Sequence, residues 1–125
     1  MLEKGITGSN EITVTGENTA SAWKSGNLDI FATPAMIALM EQTCAESVES
    51  RLEDGMSTVG TLVNIKHLRA TPIGRRVKVE SVLTEIDRRR LVFSVTATDD
   101  KGIIGEGVHE RFIINCEKFL EKAMQ

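Results

Sequence analysis

The chain has 125 residues, 15 Lys and Arg against 18 Asp and Glu, and a formal net charge of −3, with 41% apolar and 4% aromatic residues. At this length about two thirds of the extended surface leaves water on folding, enough for one domain over residues 1–125 with its own core and no disulfide or metal staple. The acidic balance and the scarcity of aromatic side chains exclude a single-strand nucleic-acid binder, which needs a basic groove and stacking platforms.

The opening residues, Met1 to Ile12, contain no long apolar run, and no window approaches the roughly 18 apolar residues of a membrane span. The expectation is a protein that is neither secreted nor inserted. Cys44 and Cys116 have no Cys or His at ligand spacing, so neither a metal knuckle nor a redox pair is expected, and a reducing cytoplasm fits. Residues 11–15 read as a short strand, followed by a polar stretch to Asp29 that holds the only tryptophan, Trp23.

Residues 34–53 carry Met36, Ile37, Met40, Cys44, Val48 and Leu52 at a spacing of three to four, the mark of an amphipathic helix of about five turns. Thr33 is placed to cap it with its side chain, Pro34 suits the first helical position, and Gly55 supplies a stop. The period then changes to two. Val59, Thr61, Val63, Ile65 and His67 share one face, expected to turn toward the helix; Val77 with Val79, Leu91 through Ala97, and Val108, Phe112 and Ile114 mark three further strands. The breaks at Asp87–Arg89 and Asp99–Gly102 are short enough for hairpins, which predicts an antiparallel meander. The glycines of Gly102-Ile103-Ile104-Gly105-Glu106-Gly107 are assigned to such a turn. One striped helix among strands must bury its stripe against a sheet, so the fold class is α+β, a curved antiparallel sheet around a central helix. Long open edges in such a sheet predict a homodimer.

Among candidate functional residues, Thr33 has a plain reading as a helix cap and a functional one as a hydroxyl beside helix amides that would stabilise an oxyanion. Glu41 lies beside the buried stripe, where partial burial favours the raised pKa of a general base, against the plain reading of a boundary carboxylate. His67 falls on the inward face, as a packed core residue or a functional group. His109 reads as structural or exposed. Thr33 and Glu41 lie eight residues apart, about 12 Å along a helix, so a joint site needs a third group or a second subunit. Hydrolase, nucleotide and metal motifs such as GxSxG, the P-loop and HExxH are absent.

Phe31-Ala32-Thr33-Pro34, Leu39-Met40-Glu41, Gly60-Thr61, His67, Ala70-Thr71-Pro72-Ile73-Gly74 and Gly107-Val108-His109-Glu110-Arg111 together resemble the hotdog-fold acyl-CoA thioesterases, in the fluoroacetyl-CoA thioesterase-like branch. The resemblance runs from about Ile30 to Lys118. It implies a dimer whose sheets join edge to edge with active sites at the interface, alone or paired as a dimer of dimers. It also implies hydrolysis of an acyl-CoA by Thr33, Glu41 and His67, with coenzyme A entering only as part of the substrate. Glu41 would be general base or nucleophile, Thr33 would orient it or take part in acyl transfer, and His67 would support proton transfer. Gly60 and Thr61 would lie against the substrate, and Arg111 would hold a ligand carboxylate or phosphate or pair with a neighbouring acid. Lys66, Arg69, Arg75, Arg76 and Arg88 to Arg90 are candidates for the CoA phosphates. The fluoroacetyl-specific members resemble one another in aromatic residues before the helix, whereas Lys24 to Asp29 contains none here; a short or medium acyl group is therefore the expectation. The alternative is a non-catalytic module that binds an acyl-CoA or small acid.

Overall fold

Strict alternation builds the middle of the sheet. Val77, Val79, Ser81 and Leu83 on β3 (Arg76–Asp87) and Leu91, Phe93, Val95 and Ala97 on β4 (Arg90–Asp99) are all buried, and the residues between them turn outward. Side chains at i and i+2 share a sheet face, so the polar-apolar period sets the inner surface directly. The computed structural model describes all 125 residues. Its other elements are β1 (Thr7–Thr13), α1 (Thr33–Glu49), β2 (Met56–His67), β5 (Gly102–Asn115) and α2 (Cys116–Ala123).

All pairings are antiparallel and the strand order is β1-β3-β4-β5-β2. The hairpins β3–β4 and β4–β5 form the expected meander. In contrast to a simple meander, β2 crosses over to the far edge and pairs with β5, leaving β1 and β2 as the two edge strands. Helix α1 lies against the inner face. Ala35, Met36, Leu39, Met40, Cys44 and Val48 pack there with Phe31, Leu83, Leu91, Phe93 and Ile104, each large side chain contributing roughly 1.5–3 kcal/mol by leaving water.

Several local expectations are corrected. Strand β1 starts earlier, at Thr7, because its bonds come from β3 and not from an apolar pattern of its own. The helix is capped by Ala32, whose extended backbone accepts from Met36 N, and no side chain caps it; Thr33 is the first helical residue and Pro34 follows within the first turn, where its missing N–H costs nothing. The helix ends at Glu49, not at residue 53. Arg51 N and Leu52 N bond to the carbonyls of Val48 and Glu49, three residues back, which tightens the last turn. Gly55, at φ +82°, serves the turn into β2 instead. Helix α2 was not expected; Asn115 caps it through a 3.0 Å bond from Lys118 N.

Two bulges shape the site. In β2 the register slips between Gly60 and Leu62, so the inward side changes parity there. Thr58 and Gly60 face inward before the bulge and Val63, Ile65 and His67 after it, opposite the inward residues Ile113, Arg111, His109, Gly107 and Gly105 of β5. Val59 and Thr61 therefore do not share the face of His67, and Val108 and Phe112 lie on the outer face, where both are more than a third exposed. In β5 the extra residue is Ile104, whose carbonyl accepts from Leu68 N (2.6 Å) and Arg69 N (3.2 Å) and ties down the chain just beyond His67. Gly105 and Gly107 are in the strand, not in the turn. A Cβ at Gly105 would stand 2.6 Å from Met36 Sδ, and one at Gly107 would stand 2.1 Å from the Asn64 carbonyl oxygen.

Candidate active site

The candidate residues form two clusters. The first joins the start of α1 to the end of β2: Thr33 Oγ1 and His67 Nδ1 are 2.7 Å apart. The helix needs no side-chain cap from Thr33, which leaves its hydroxyl free for this bond. Burial lowers the His67 pKa, with the backbone of Arg69 opposing in part, so the ring is neutral near pH 7. The pair lies on a cleft of about 320 Å³ walled by Ala20, Ser25, Gly26, Asn27, Leu28, Leu68 and Arg69. The segment before the helix therefore forms one wall of the cleft, and it presents no aromatic ring there except Phe31 at the base.

The second cluster lies farther along α1. Glu41 is half-buried, and its Oε2 stands 2.7 Å from where a Cβ on Gly60 would be, so only a glycine there admits this carboxylate position. Arg111 NH1 is 3.8 Å from the same oxygen. The guanidinium is buried and anchored to β2, with Nε donating to Thr58 Oγ1 at 2.8 Å and NH2 to the Thr58 carbonyl at 2.9 Å. Its NH1 is 3.1 Å from His109 Nε2, and His109 Nδ1 is 2.8 Å from the Leu62 carbonyl. Burial lowers the His109 pKa and the Arg111 charge adds to that; the Leu62 carbonyl, Glu41 and Glu110 oppose it. Beside this cluster the Cys44 thiol is pushed up to about 12 by burial, which makes it an inert neutral group.

Within one chain no hydrogen bond links the two clusters, as their spacing on α1 requires. Thr61 belongs to neither through its side chain: it occupies the bulge, exposed, with its hydroxyl on the Glu110 carbonyl at 3.3 Å. Thr58 and His109 are members that sequence reasoning missed, His109 being buried to 1% exposure and not at the surface. The available signal was its place two residues from Arg111, which puts both side chains on one face of β5. No group of three or more His, Cys, Asp or Glu side chains is arranged to hold a metal ion, and no helix is long and apolar enough to cross a membrane.

A single long helix wrapped by a five-stranded antiparallel sheet is the hotdog fold, and solved thioesterases share it. The family model described as the fluoroacetyl-CoA-specific thioesterase FlK matches residues 14–117. The fluoroacetyl-CoA thioesterase of Streptantibioticus cattleyicolor is 40% identical over 97 residues, 78% of this chain and 70% of that protein. A solved structure of the fluoroacetyl-CoA thioesterase FlK superposes with a TM-score of 0.93 at 32% identity, over all of this chain and 97% of the other. A thioesterase superfamily member from Thermus thermophilus gives 0.91 at 26% identity, over 99% and 92% of the two chains. The chain belongs to the fluoroacetyl-CoA thioesterase family.

Proposed function

We propose that this chain, an acyl-CoA thioesterase, hydrolyses a short or medium acyl-CoA to the free acid and coenzyme A, with Glu41 as general base. The observation that carries the assignment is the Glu41 carboxylate held over the bare backbone of Gly60 with a buried guanidinium 3.8 Å away. Glu41 takes a proton from water and the hydroxide adds to the thioester carbonyl. Backbone N–H groups beside Gly60 receive the developing oxyanion, since a glycine lets the carbonyl approach the chain closely. The C–S bond then breaks and the thiolate takes up the water proton held on Glu41, relayed by the neutral His67 that Thr33 orients. Water and the chain's own side chains account for every atom.

The two clusters meet across a homodimer in this reading, Glu41 of one protomer serving the Thr33–His67 pair of its partner. Two features support it. The helix spacing keeps the clusters apart within one chain, and β2 is a twelve-residue edge strand that exposes Leu62 and Val63, an edge that natural proteins cover by pairing. The acyl group follows from the cleft wall. Ser25, Gly26, Asn27 and Leu28 stand before the helix, and Trp23 turns its indole N–H to the Glu17 carbonyl. That wall does not favour one fluorinated group and suits a wider range of short acyl chains.

Thiol release from a panel of acyl-CoAs, acetyl and fluoroacetyl through long-chain, tests this. Glu41→Gln is expected to lower kcat by about 10²–10⁴, the range of general-base losses. Mixing Glu41→Gln with Thr33→Ala protomers is expected to restore about a quarter of wild-type turnover, because half the dimers are mixed and each mixed dimer keeps one intact site. Unchanged turnover in Glu41→Gln removes the base assignment. A failure to restore activity on mixing removes the shared site.

A further inference from the structure

We propose that His109 is a positioning residue for this reaction: its neutral imidazole pins the Arg111 guanidinium beside Glu41 while keeping it from closing onto the carboxylate. The inference rests on the reading of Glu41 as the general base. The hydrogen bonds leave one protonation pattern. The Leu62 carbonyl only accepts, so Nδ1 carries the proton; Arg111 only donates, so Nε2 is bare and accepts from NH1. The ring is held as well as bonded. It lies nearly parallel to the Phe93 ring, 28° between planes, and Leu62 is the first residue after the β2 bulge, whose carbonyl position the register slip fixes. A Cβ on Gly60 would come within 3.2 Å of His109 Cε1, so the same glycine makes room for the imidazole and for Glu41.

The consequence concerns Arg111. All three guanidinium nitrogens are tethered: Nε and NH2 to Thr58 and NH1 to His109. NH1 therefore stops 3.8 Å from Glu41 Oε2, whereas a closed, charge-assisted pair sits at about 2.7–2.9 Å. At the longer distance the positive charge orients the carboxylate and leaves its lone pairs for a water proton. A closed pair would occupy one of those lone pairs and lock the rotamer. Removing the acceptor on His109 frees NH1 to make that closed pair. The charged groups acting on the ring are Arg111 and Glu110 from β5 and Glu41 from α1; β2 and β4 offer only the Leu62 carbonyl and Phe93.

Two variants and one spectrum test this. His109→Phe keeps the ring volume and removes both hydrogen bonds, and is expected to lower kcat by about tenfold or more, the size of one lost bond to a buried charge, with KM within about twofold. His109→Gln returns an acceptor for Arg111 and is expected to recover most of kcat. Nitrogen-15 NMR of the wild-type imidazole is expected to place the proton on Nδ1. Parental kcat in His109→Phe, a Gln variant no better than the Phe variant, or a proton on Nε2 each overturns the proposal. Should His109→Phe not fold, the Gln variant and the spectrum decide: Gln kcat near the parent with the proton on Nδ1 supports the proposal, and a loss of tenfold or a proton on Nε2 defeats it. Glu41→Gln run alongside separates the two readings. Turnover retained there overturns both, while a dead Glu41→Gln beside parental His109 variants overturns only the role of His109.

Discussion

Gly60 is the residue on which both halves of the second cluster depend. An added Cβ would meet Glu41 Oε2 at 2.7 Å, His109 Cε1 at 3.2 Å and Arg111 NH1 at 3.3 Å. The carboxylate is the flexible end of a side chain and can withdraw, so Gly60→Ala is expected to cost catalysis more than stability. We expect kcat to fall by about 10²-fold, the usual effect of displacing a catalytic group by an ångström, with a thermal midpoint within a few degrees of the parent; thiol release and a melting curve on one preparation check both. Glu41 and Gly60 were each legible in the sequence as single residues. Their contact was not, because the helix position and the strand position are joined only when β2 crosses to the far edge of the sheet. The exposed reading of His109 fails for a related reason: it stands among polar neighbours, and its partners inside the sheet, the Leu62 carbonyl and the Arg111 guanidinium, are fixed only by strand pairing.

The elements show the same division. Helix α1 and strand β4 could be read from period alone, since each has one wet and one dry face, and β3 could be read the same way as far as Leu83, where the extra residue Thr84 ends the alternation. Strands β2 and β5 could not, because a bulge in each changes which side faces in, and a bulge is a property of the pair. At Gly107 strand β2 leaves no room for a side chain on β5. A Cβ there would lie 2.1 Å from the Asn64 carbonyl oxygen and 2.9 Å from Ile65 Cα, both rigid backbone. Gly107→Ala must push the strands apart, and we expect a loss of about 2–3 kcal/mol, the upper part of the range for overpacking a well-packed interior, read as a lower urea midpoint at unchanged slope. Helix α2 went unread for its length: its apolar stripe of Cys116, Phe119, Leu120 and Ala123 has helical spacing but spans only two turns, and it buries none of its residues in this chain.

At the scale of the whole molecule, both histidines titrate below their ordinary value of 6.5 because folding buries them. The unfolded chain then binds more protons than the folded one in the window just under pH 6.5, so stability falls as pH is lowered through it and is level above pH 7. Carboxylates with lowered pKa, such as Asp99 bonded to Thr71 and the Lys101 amide, add their own loss only below about pH 4.5. Thermal melts between pH 5 and 8 are expected to show the first decline near pH 6.5, and His109→Gln is expected to make it shallower, leaving the part that His67 contributes. A flat curve down to pH 5 would mean that neither ring is held neutral by the fold.

By itself the sequence determined the wrapped-helix architecture, the family, and the residue types of the site, because those follow from periods of 3.6 and 2 and from short local words. The tertiary structure decided which of those residues meet. Thr33 with His67, and Glu41 with Gly60, Arg111, Thr58 and His109, are brought together by one strand crossover and by one extra residue in each of two strands. Such features depend on how strands pair at a distance, and no local pattern encodes a distance between segments.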